Sequence, residues 1–267
     1  DSTIVGFSHT HFSGTGHSDM GDILLMPFHG ELQTDPGTAE NPESGYRSRF
    51  SHEQETAKPG YYRVRLLDSR IDVELSSTLR AAIHRYNYPS GTTPKILLDL
   101  VHSIYHYEGK VSWAEIRVEN ETTVSGYRRS HGWAPDRSVF FTLQFSRPIV
   151  KYGLINQDDS PYKGFGIKGP LLINYPVAKG RKIKAFFEFT PSNQPLLVKV
   201  SISPVDTNGA KSNLNQELPG WDFDSIVGSA DQCWRSELSK VKFYGSDREK
   251  EILYTALYHS FISPTLF

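Results

Sequence analysis

Along most of the chain, apolar and polar side chains alternate in the way that is typical of β-strands. Apolar residues occupy every second position in five short runs, and Gly, Pro, Asn or Ser separate these runs. The apolar positions are Tyr62, Val64 and Leu66; Ile71, Val73 and Leu75; Val139, Phe141, Leu143 and Phe145; Ile183, Ala185, Phe187 and Phe189; and Val198, Val200 and Ile202. A period of two places one face of each strand against a core. Because no helical pattern separates the runs, they predict antiparallel sheets packed face to face, a β-sandwich over residues 1–222.

After residue 222 the apolar residues recur at helical spacing instead. In a first stretch they are Ile226, Ala230, Trp234, Leu238 and Val241. In a second stretch, Leu253, Leu257 and Phe261 line one face, after Ser246 or Asp247 as the cap and before Pro264 as the terminator. Two interpretations of this second helix are open: it folds back on the sandwich, or it is the first helix of a helical domain. The predicted fold is therefore mainly β, an antiparallel β-sandwich (a supersandwich) followed by a helical linker over residues 223–267.

Charge and composition exclude several classes of function. The 29 Lys and Arg residues balance 30 Asp and Glu residues, so no net positive field would hold a nucleic-acid backbone. The longest apolar runs, residues 23–26 and 97–101, are strand-sized, whereas a membrane helix needs about 20 apolar residues. The single cysteine, Cys233, excludes an internal disulfide and a multi-thiolate zinc site. We therefore expect no nucleic-acid partner and no membrane span.

The densest group of chemistry-bearing side chains lies between residues 7 and 22. It contains three His, two Asp and three Gly. His9 and His11 would share one face of an extended chain, and with a third ligand such as Asp19 they would bind a metal. Gly14 and Gly16 allow a tight turn or a close approach to a ligand. Three interpretations are open: a metal site, a polar loop that only bonds its own backbone, and a loop that faces a ligand.

Two further polar groups fall among the predicted strands. Residues 128–133 (RRSHGW) form either a sugar-facing ledge with Trp133 as its stacking surface, or a strand end and turn with solvated arginines. Asp99 and His102 belong to an apolar segment, and we expect a buried, satisfied pair. No Gly-x-Ser-x-Gly nucleophile motif and no glycine-rich phosphate loop of standard spacing is present. The residues alone therefore assign no acid or base role.

Six segments, in order along the chain, carry a family resemblance. They are residues 4–16 (IVGFSHTHFSGTG) with 22–27 (DILLMP); 55–62 (ETAKPGYY); Glu74-Leu75 through Arg80 to His84-Arg85-Tyr86; 125–130 (SGYRRS) with 132–134 (GWA); 219–224 (PGWDFD); and 254–259 (YTALYH), which runs into Pro264. Together they resemble glycoside hydrolase family 92, chiefly its N-terminal domain. The resemblance covers almost the whole chain, and the shared order of the segments makes it specific.

This resemblance implies an architecture and an activity. Members of the family are calcium-dependent exo-α-mannosidases with an N-terminal β-sandwich, a helical linker and an (α/α)6 barrel. They invert the anomeric carbon, which requires a general acid and a general base on opposite faces of the sugar. The resemblance puts both carboxylates and most of the calcium environment in the barrel, which would begin about where this chain ends. It also puts a further segment with a Pro-Phe-Gly stretch ahead of Asp1. We therefore expect no catalytic residue among these 267, and a chain that is inactive alone.

The resemblance also implies a site and a setting. The loop over residues 9–16 would face the active site of the barrel, with His9, His11 and Ser13 as substrate-pocket groups and Gly14 and Gly16 shaping the loop. The expected partners are an α-mannoside glycan and the barrel of the same protein, in a secreted, periplasmic or cell-surface location. Two other functions are open: a non-catalytic carbohydrate-binding module, which exposed, coplanar aromatic residues would favour, and an interaction domain that docks through its terminal helix.

Overall fold

The computed structural model describes residues 2–11, 19–158 and 171–262. In these ranges the strands are β1 Thr3–Ile4, β2 Leu24–Phe28, β3 Ser48–Arg49, β4 Glu55–Lys58, β5 Tyr61–Leu66, β6 Ile71–Ser77, β7 Ala81–Asn87, β8 Lys95–Asp99, β9 Val111–Val118, β10 Thr123–Ser130, β11 Arg137–Phe145, β12 Ile149–Asn156, β13 Leu171–Ile173, β14 Val177–Gly180, β15 Ile183–Phe189 and β16 Leu196–Ser203. The α-helices are α1 Thr207–Glu217, α2 Phe223–Leu238 and α3 Asp247–Phe261. Short 3-10 helices occupy Pro42–Ser44 and His52–Gln54.

Two antiparallel sheets of unequal width form the body of the molecule. The larger sheet has nine strands in the order β14-β9-β10-β11-β16-β7-β6-β5-β4, and the smaller has five in the order β13-β12-β15-β8-β2. Phe145 of the large sheet contacts Phe187 and Phe189 of the small sheet, with ring centroids 5.3 and 5.0 Å apart. One hydrophobic cluster takes residues from both sheets. The predicted antiparallel β-sandwich is confirmed.

The alternation along the strands determines which side chains enter this core. On β5 and β6, Val64, Leu66, Ile71 and Val73 are fully buried, and the polar residues between them lie on the other face. The same holds for Phe141 and its alternating neighbours on β11. Each buried aliphatic or aromatic side chain of this kind contributes about 1.5–3 kcal/mol to the free energy of unfolding. The predicted strand faces are therefore those that pack.

Two of the three described α-helices, α1 and α2, pack on the outer face of the large sheet. Ala210 and Leu214 of α1 are buried, and Phe223 at the start of α2 packs with Ala81 and Ile83 of β7. In contrast, α3 buries no residue. Side chains cap all three helices: Asp206 accepts from Gly209 N, Asp222 from Ser225 N, and Ser246 forms a capping box with Glu249.

The helical predictions are confirmed with two differences. Ser246 is the cap of the last helix, as predicted, but α2 ends at Leu238, so Val241 lies beyond it. Helix α1 was not predicted, and it lies inside the range 1–222. Pro264 lies outside the described residues. No helix in the described ranges is both long and apolar enough to cross a bilayer.

Candidate functional site

A groove of about 480 Å³ lies at one end of the inner face of the large sheet. Leu75, His84 and Val200 contribute to its lining from β6, β7 and β16. His9 and His11 line it from the segment that follows β1. Tyr258 of α3 lines it as well. The groove therefore brings together the polar N-terminal segment, the sandwich and the last helix, which are far apart in the sequence.

The N-terminal segment is held by pairing with the residues before β2. Phe7 exchanges two backbone hydrogen bonds with Leu25, His9 N donates to the carbonyl of Asp22, and Gly21 N donates to that of Thr10. Met20, Gly21 and Ile23 all have left-handed backbone conformations, with φ of 71°, 82° and 55°. For β-branched Ile23 such a φ is rare and strained. We call residues 7–11 and 19–25 the hairpin stem; residues 12–18 between its two arms are not described.

Asp22 anchors the stem to the large sheet. Its carboxylate accepts a hydrogen bond from Thr10 Oγ1 at 2.6 Å and from Arg137 of β11, and it faces the guanidinium of Arg128 of β10 at 3.2 Å. Burial alone would raise the pKa of Asp22, but the charges of Arg128 and Arg137 outweigh it and lower the pKa below its usual value. Arg128 also donates to the carbonyl of His102 and to Ser103 Oγ. The expectation of two solvated arginines at 128–129 is therefore wrong for Arg128, which is buried.

A second buried ion pair lies on the other side of the same stem. Lys110 Nζ donates to Asp19 Oδ1 at 2.6 Å, and the backbone N–H of Trp133 donates to Asp19 Oδ2 at 3.1 Å. A Cβ on Gly132 would come within 2.3 Å of the Asp19 carboxylate, so only glycine allows this approach. Burial would raise the pKa of Asp19, but the hydrogen bond from Lys110 and those from the backbone lower it. Asp19 is therefore a structural anion here.

His9 forms part of a line of hydrogen bonds that enters the sandwich. Its Nδ1 lies 2.6 Å from the carbonyl oxygen of Ile23, and its Nε2 lies 3.0 Å from Nε2 of His84. Nδ1 of His84 lies 2.6 Å from the hydroxyl of Tyr86. Burial lowers the pKa of His9 to about 4 and that of His84 well below its usual value. Both imidazoles are thus neutral at physiological pH.

The predicted site residues have three different outcomes. His9 and His11 both line the groove. However, His11 Nε2 pairs with Ser8 Oγ at 2.9 Å and His9 Nε2 pairs with His84, so the two histidines do not converge on a common metal position. Ser13, Gly14 and Gly16 lie outside the described residues. The pair Asp99–His102 is satisfied differently from the expectation: Asp99 is buried and accepts from Tyr46, Lys184 and the backbone N–H of His102.

The described groove lining contains no carboxylate side chain. Three nearby acids hydrogen-bond to lining residues: Glu217 accepts from Thr78 and Arg80, Glu55 from Tyr62, and Glu74 from Tyr61. No group of three His, Cys, Asp or Glu side chains in the described ranges is placed to hold a metal ion. Calcium is usually held by several carboxylate and carbonyl oxygens, and no cluster of three such carboxylates occurs among the described residues. What the groove offers a ligand is hydroxyl, imidazole and aromatic surface, together with the cationic side chains of Lys58 and Arg80.

Sequence reasoning missed three residues of this arrangement. His84 and Tyr86 were quoted only as part of a motif, and Arg128 was expected to be solvated. One signal for the first pair was available, because positions 84 and 86 are two apart on a strand and therefore share a face. Alternation along β10 places Arg128 on the same face as buried Val124 and Arg129 on the other, but the partner of Arg128, Asp22, lies 106 positions away in the sequence and has no local signal.

Two exposed aromatic residues lie close together on the surface. The rings of Tyr105 and Tyr107, both exposed, have centroids 6.2 Å apart and planes inclined at 52°. Sugars stack on faces that are coplanar or continuous, and this pair is neither. The pair gives no support to a carbohydrate-binding module.

The chain is similar in sequence and structure to proteins of a known family. Residues 1–203 match the glycosyl hydrolase family 92 N-terminal domain, and residues 209–267 match the glycosyl hydrolase family 92 catalytic domain. A family GH92 α-mannosidase from Bacteroides thetaiotaomicron superposes with a TM-score of 0.89 at 34% identity, over 100% of this chain and 35% of that chain. That enzyme is also known in complex with mannoimidazole.

More distant relatives agree with this match. A family GH92 inverting mannosidase from the same bacterium has a TM-score of 0.80 at 26% identity, over 100% of this chain and 33% of its own. An uncharacterized secreted glycosidase from Arthroderma benhamiae is 26% identical, over 98% of this chain and 36% of its own. The chain thus spans about a third of the length of the relatives that it matches.

Proposed function

The chain belongs to glycosyl hydrolase family 92, and on this premise we propose that it forms one wall of the active site of an exo-acting α-mannosidase. The enzyme would remove terminal α-mannosyl residues from glycans with inversion at the anomeric carbon. One observation carries this proposal: the groove beside the hairpin stem is lined by His9 and His11 and by no carboxylate of the described residues.

The absence of carboxylates from the described lining limits the chemistry that this groove can perform. Inversion needs one carboxylic acid to protonate the leaving oxygen and one carboxylate to activate water, about 6.5–9.5 Å apart. A groove without either group is suited to hold and orient a sugar but not to cleave it. We propose that the acid and the base come from polypeptide beyond these 267 residues, in the catalytic domain whose family model matches only residues 209–267 of this chain.

Within this wall, we propose that His9, His11, Ser13, Gly14 and Gly16 face the bound sugar. Support comes from the stem, which the Asp22 network and the line from His9 to Tyr86 hold from two sides. A rigidly held segment is a suitable support for ligand contacts, because little freedom is lost on binding. We further propose a requirement for calcium, with ligands outside the described residues, and a secreted, periplasmic or cell-surface location. The name of the secreted fungal relative supports this location.

The test uses the longest natural polypeptide that contains this sequence. We expect it to hydrolyse an aryl α-mannoside, with proton NMR showing β-mannose as the first product, and to lose activity when calcium is chelated. The aryl β-mannoside and aryl α-glucoside are the controls and should not react. Hydrolysis of no α-mannoside, or α-mannose as the first product, would overturn the proposal.

Two further assays examine the division of roles. The 267-residue chain alone should show no turnover, and turnover at the rate of the longer polypeptide would place the acid and base within it. In the longer polypeptide, His11→Ala should reduce kcat/KM on the aryl α-mannoside by about tenfold, the scale of one lost polar contact of about 1.4 kcal/mol. Unchanged kinetics in this variant would remove His11 from the sugar site.

A further inference from the structure

The motif His84-Arg85-Tyr86 places two polar aromatic side chains inside the sandwich. Because side chains alternate along a strand, His84 and Tyr86 of β7 share the inner face, and Arg85 points to the outer face. Both are almost fully buried, with 2% and 0% of their surface exposed. A buried imidazole and a buried phenol need hydrogen-bond partners to offset the loss of water. His84 finds them in Tyr86 and in His9 of the hairpin stem.

The three contacts of this line determine where each proton lies. The carbonyl oxygen of Ile23 only accepts, so Nδ1 of His9 carries a proton. In the neutral imidazole, Nε2 of His9 is then the acceptor, and Nε2 of His84 must donate to it across 3.0 Å. This leaves Nδ1 of His84 as an acceptor for the hydroxyl of Tyr86 at 2.6 Å. One arrangement of protons satisfies the three groups: Tyr86 donates to His84, His84 to His9, and His9 to Ile23.

The geometry of the rings agrees with this assignment. The planes of His9 and His84 differ by 12°, and their centroids are 5.0 Å apart although the two Nε2 atoms are 3.0 Å apart. The rings therefore meet at their nitrogen edges. A proton added to Nε2 of His9 would face the N–H of His84 head on. Burial also disfavours the charged form, because it lowers the pKa of both imidazoles.

We propose that His84 and Tyr86 are positioning residues that hold His9 uncharged, with its proton on Nδ1, so that this imidazole forms a fixed part of the groove wall. His9 then contacts a ligand through its ring carbons and ring face, and neither of its nitrogens takes part in proton transfer. The role of His9 in the groove rests on the proposed function. The arrangement of protons rests only on the contacts within this chain.

The first experiment measures the protons directly. In the 267-residue chain labelled with ¹⁵N in its histidine rings, NMR at pH 5.5–8 should show a proton on Nδ1 of His9 and on Nε2 of His84. His29, whose Nε2 lies 2.8 Å from the carbonyl of Ser69, provides an internal reference for a proton on Nε2. A proton on Nε2 of His9, or a charged His9 in this range, would overturn the proposal whatever the enzyme activity.

The second experiment compares two replacements of His84. The amide of His84→Gln can still donate to His9, whereas His84→Leu cannot. In the longest natural polypeptide, His84→Leu should lower kcat/KM on the aryl α-mannoside by about tenfold or more, since a small misplacement of an active-site group costs up to about 100-fold. His84→Gln should recover most of this loss and retain Nδ1–H on His9 in the ¹⁵N spectrum. In His84→Leu no N–H opposes a proton on Nε2 of His9, so His9 should become charged, as seen in the ¹⁵N spectrum, at a higher pH than in His84→Gln.

The outcomes separate this inference from the proposed function. If the wild-type polypeptide hydrolyses no mannoside, the proposed function fails, and the NMR result still decides the arrangement of protons. If His84→Leu and His84→Gln lower kcat/KM equally, or if His9 becomes charged at the same pH in the two variants, His84 only fills space and the positioning role is wrong. Circular dichroism and the unfolding midpoint of each variant verify that the variants are folded.

Discussion

The guanidinium of Arg128 lies 3.2 Å from the carboxylate of Asp22, and neither side chain has any solvent exposure. The two residues belong to different parts of the fold: Asp22 to the strained hairpin stem, and Arg128 to β10 of the large sheet. Their pairing fastens one arm of the stem to β10. The line from His9 to Tyr86 fastens the other arm to β7, so that the groove wall is held at two separate points.

The first prediction concerns this ion pair. Arg128→Met leaves the carboxylate of Asp22 buried with only Arg137 and Thr10 as partners, so the free energy of unfolding should fall by about 3–5 kcal/mol. Urea unfolding of the 267-residue chain measures this change. The neighbouring Arg129 is the matched control, because it pairs with Asp136 at the surface, with 53% of its side chain exposed.

Arg129→Met should cost at most about 1 kcal/mol, as is usual for an exposed ion pair. The two variants remove the same side chain at adjacent positions of one strand. The difference between their losses of unfolding free energy therefore measures the effect of burial. Equal losses in the two variants would contradict the structural role of the Asp22–Arg128 pair.

The second prediction concerns the glycine beside Asp22. Gly21 and Gly30 share a φ of +82°, but a Cβ would meet Ile104 within 2.9 Å at Gly21 and nothing within 4 Å at Gly30. Both alanine variants should lose about 1 kcal/mol of unfolding free energy, because the left-handed backbone disfavours a Cβ. Gly21→Ala should lose a further 1–3 kcal/mol or so from crowding. If chemical denaturation gives the same loss for both, the close approach of Ile104 to Gly21 has no energetic importance.

The strands show what the sequence could predict and what it could not. The period of two at Ile71 and Val73, or at Phe141 and Leu143, identifies the buried face of these strands, whereas β2 and β8 are buried at successive positions and show no alternation. The helix over 207–217 escaped prediction because its apolar side is narrow: only Ala210 and Leu214 are buried, and the rest is polar. The sequence did contain a signal for the start of this helix, because Asp206 is a residue type that commonly caps helices. In the structure its side chain accepts a hydrogen bond from Gly209 N.

The site was less predictable for a related reason. The hairpin stem stood out by its density of polar residues, yet its partners lie far away in the chain: His84 for His9 and Arg128 for Asp22. Such contacts depend on which strands become neighbours, and no local pattern encodes this. Adjacent Arg128 and Arg129, identical in type, have opposite environments because successive side chains of β10 point to opposite faces of the sheet.

The third prediction concerns the contact between α2 and the sheet. Arg85 donates twice to Glu74 at 2.7 Å and, from one nitrogen, to both carboxylate oxygens of Asp224 at 2.9 and 3.1 Å, and its guanidinium lies 4.2 Å from the ring centroid of Phe223. A lysine has no planar fork and cannot make these contacts together. Arg85→Lys should therefore cost about 1–3 kcal/mol and accelerate amide exchange in α2, Phe223–Leu238, while β11 stays protected.

Arg63→Lys is the control for this prediction. Arg63 lies on the same outer face but is more exposed, and its nearest carboxylate oxygen, on Asp72, is 3.6 Å away. Its replacement should change the stability by less than about 0.5 kcal/mol. Exchange rates in α2 that are unaffected by Arg85→Lys would show that Phe223 alone fastens the helix.

The fourth prediction is a pH dependence of stability that originates in the buried imidazoles. The pKa of His9 is lowered to about 4 and that of His84 is lowered well below its usual value, both by burial. In the unfolded chain a histidine takes up a proton below about pH 6.5. Between pH 6.5 and 5 the unfolded state therefore binds more protons than the folded state, and the free energy of unfolding should decrease as the pH falls. Above pH 7 this contribution is fully present and constant.

The size of this effect is measured by removing one of the imidazoles. In His84→Gln the slope between pH 6.5 and 5 should be smaller than in the wild type by up to about 1.4 kcal/mol per pH unit. His102, whose pKa burial also lowers to about 4, contributes equally to both proteins and cancels. The carboxyl groups of Asp19 and Asp22, with lowered pKa values, lose their contribution only below about pH 4, outside this window. Ser201→Ala on the neighbouring strand β16, whose hydroxyl donates to the carbonyl of Ala210, removes no titrating group and should keep the wild-type slope. Urea unfolding at four pH values between 5 and 7 measures it, and identical slopes in wild type and His84→Gln would mean that His84 takes up its proton in the folded protein.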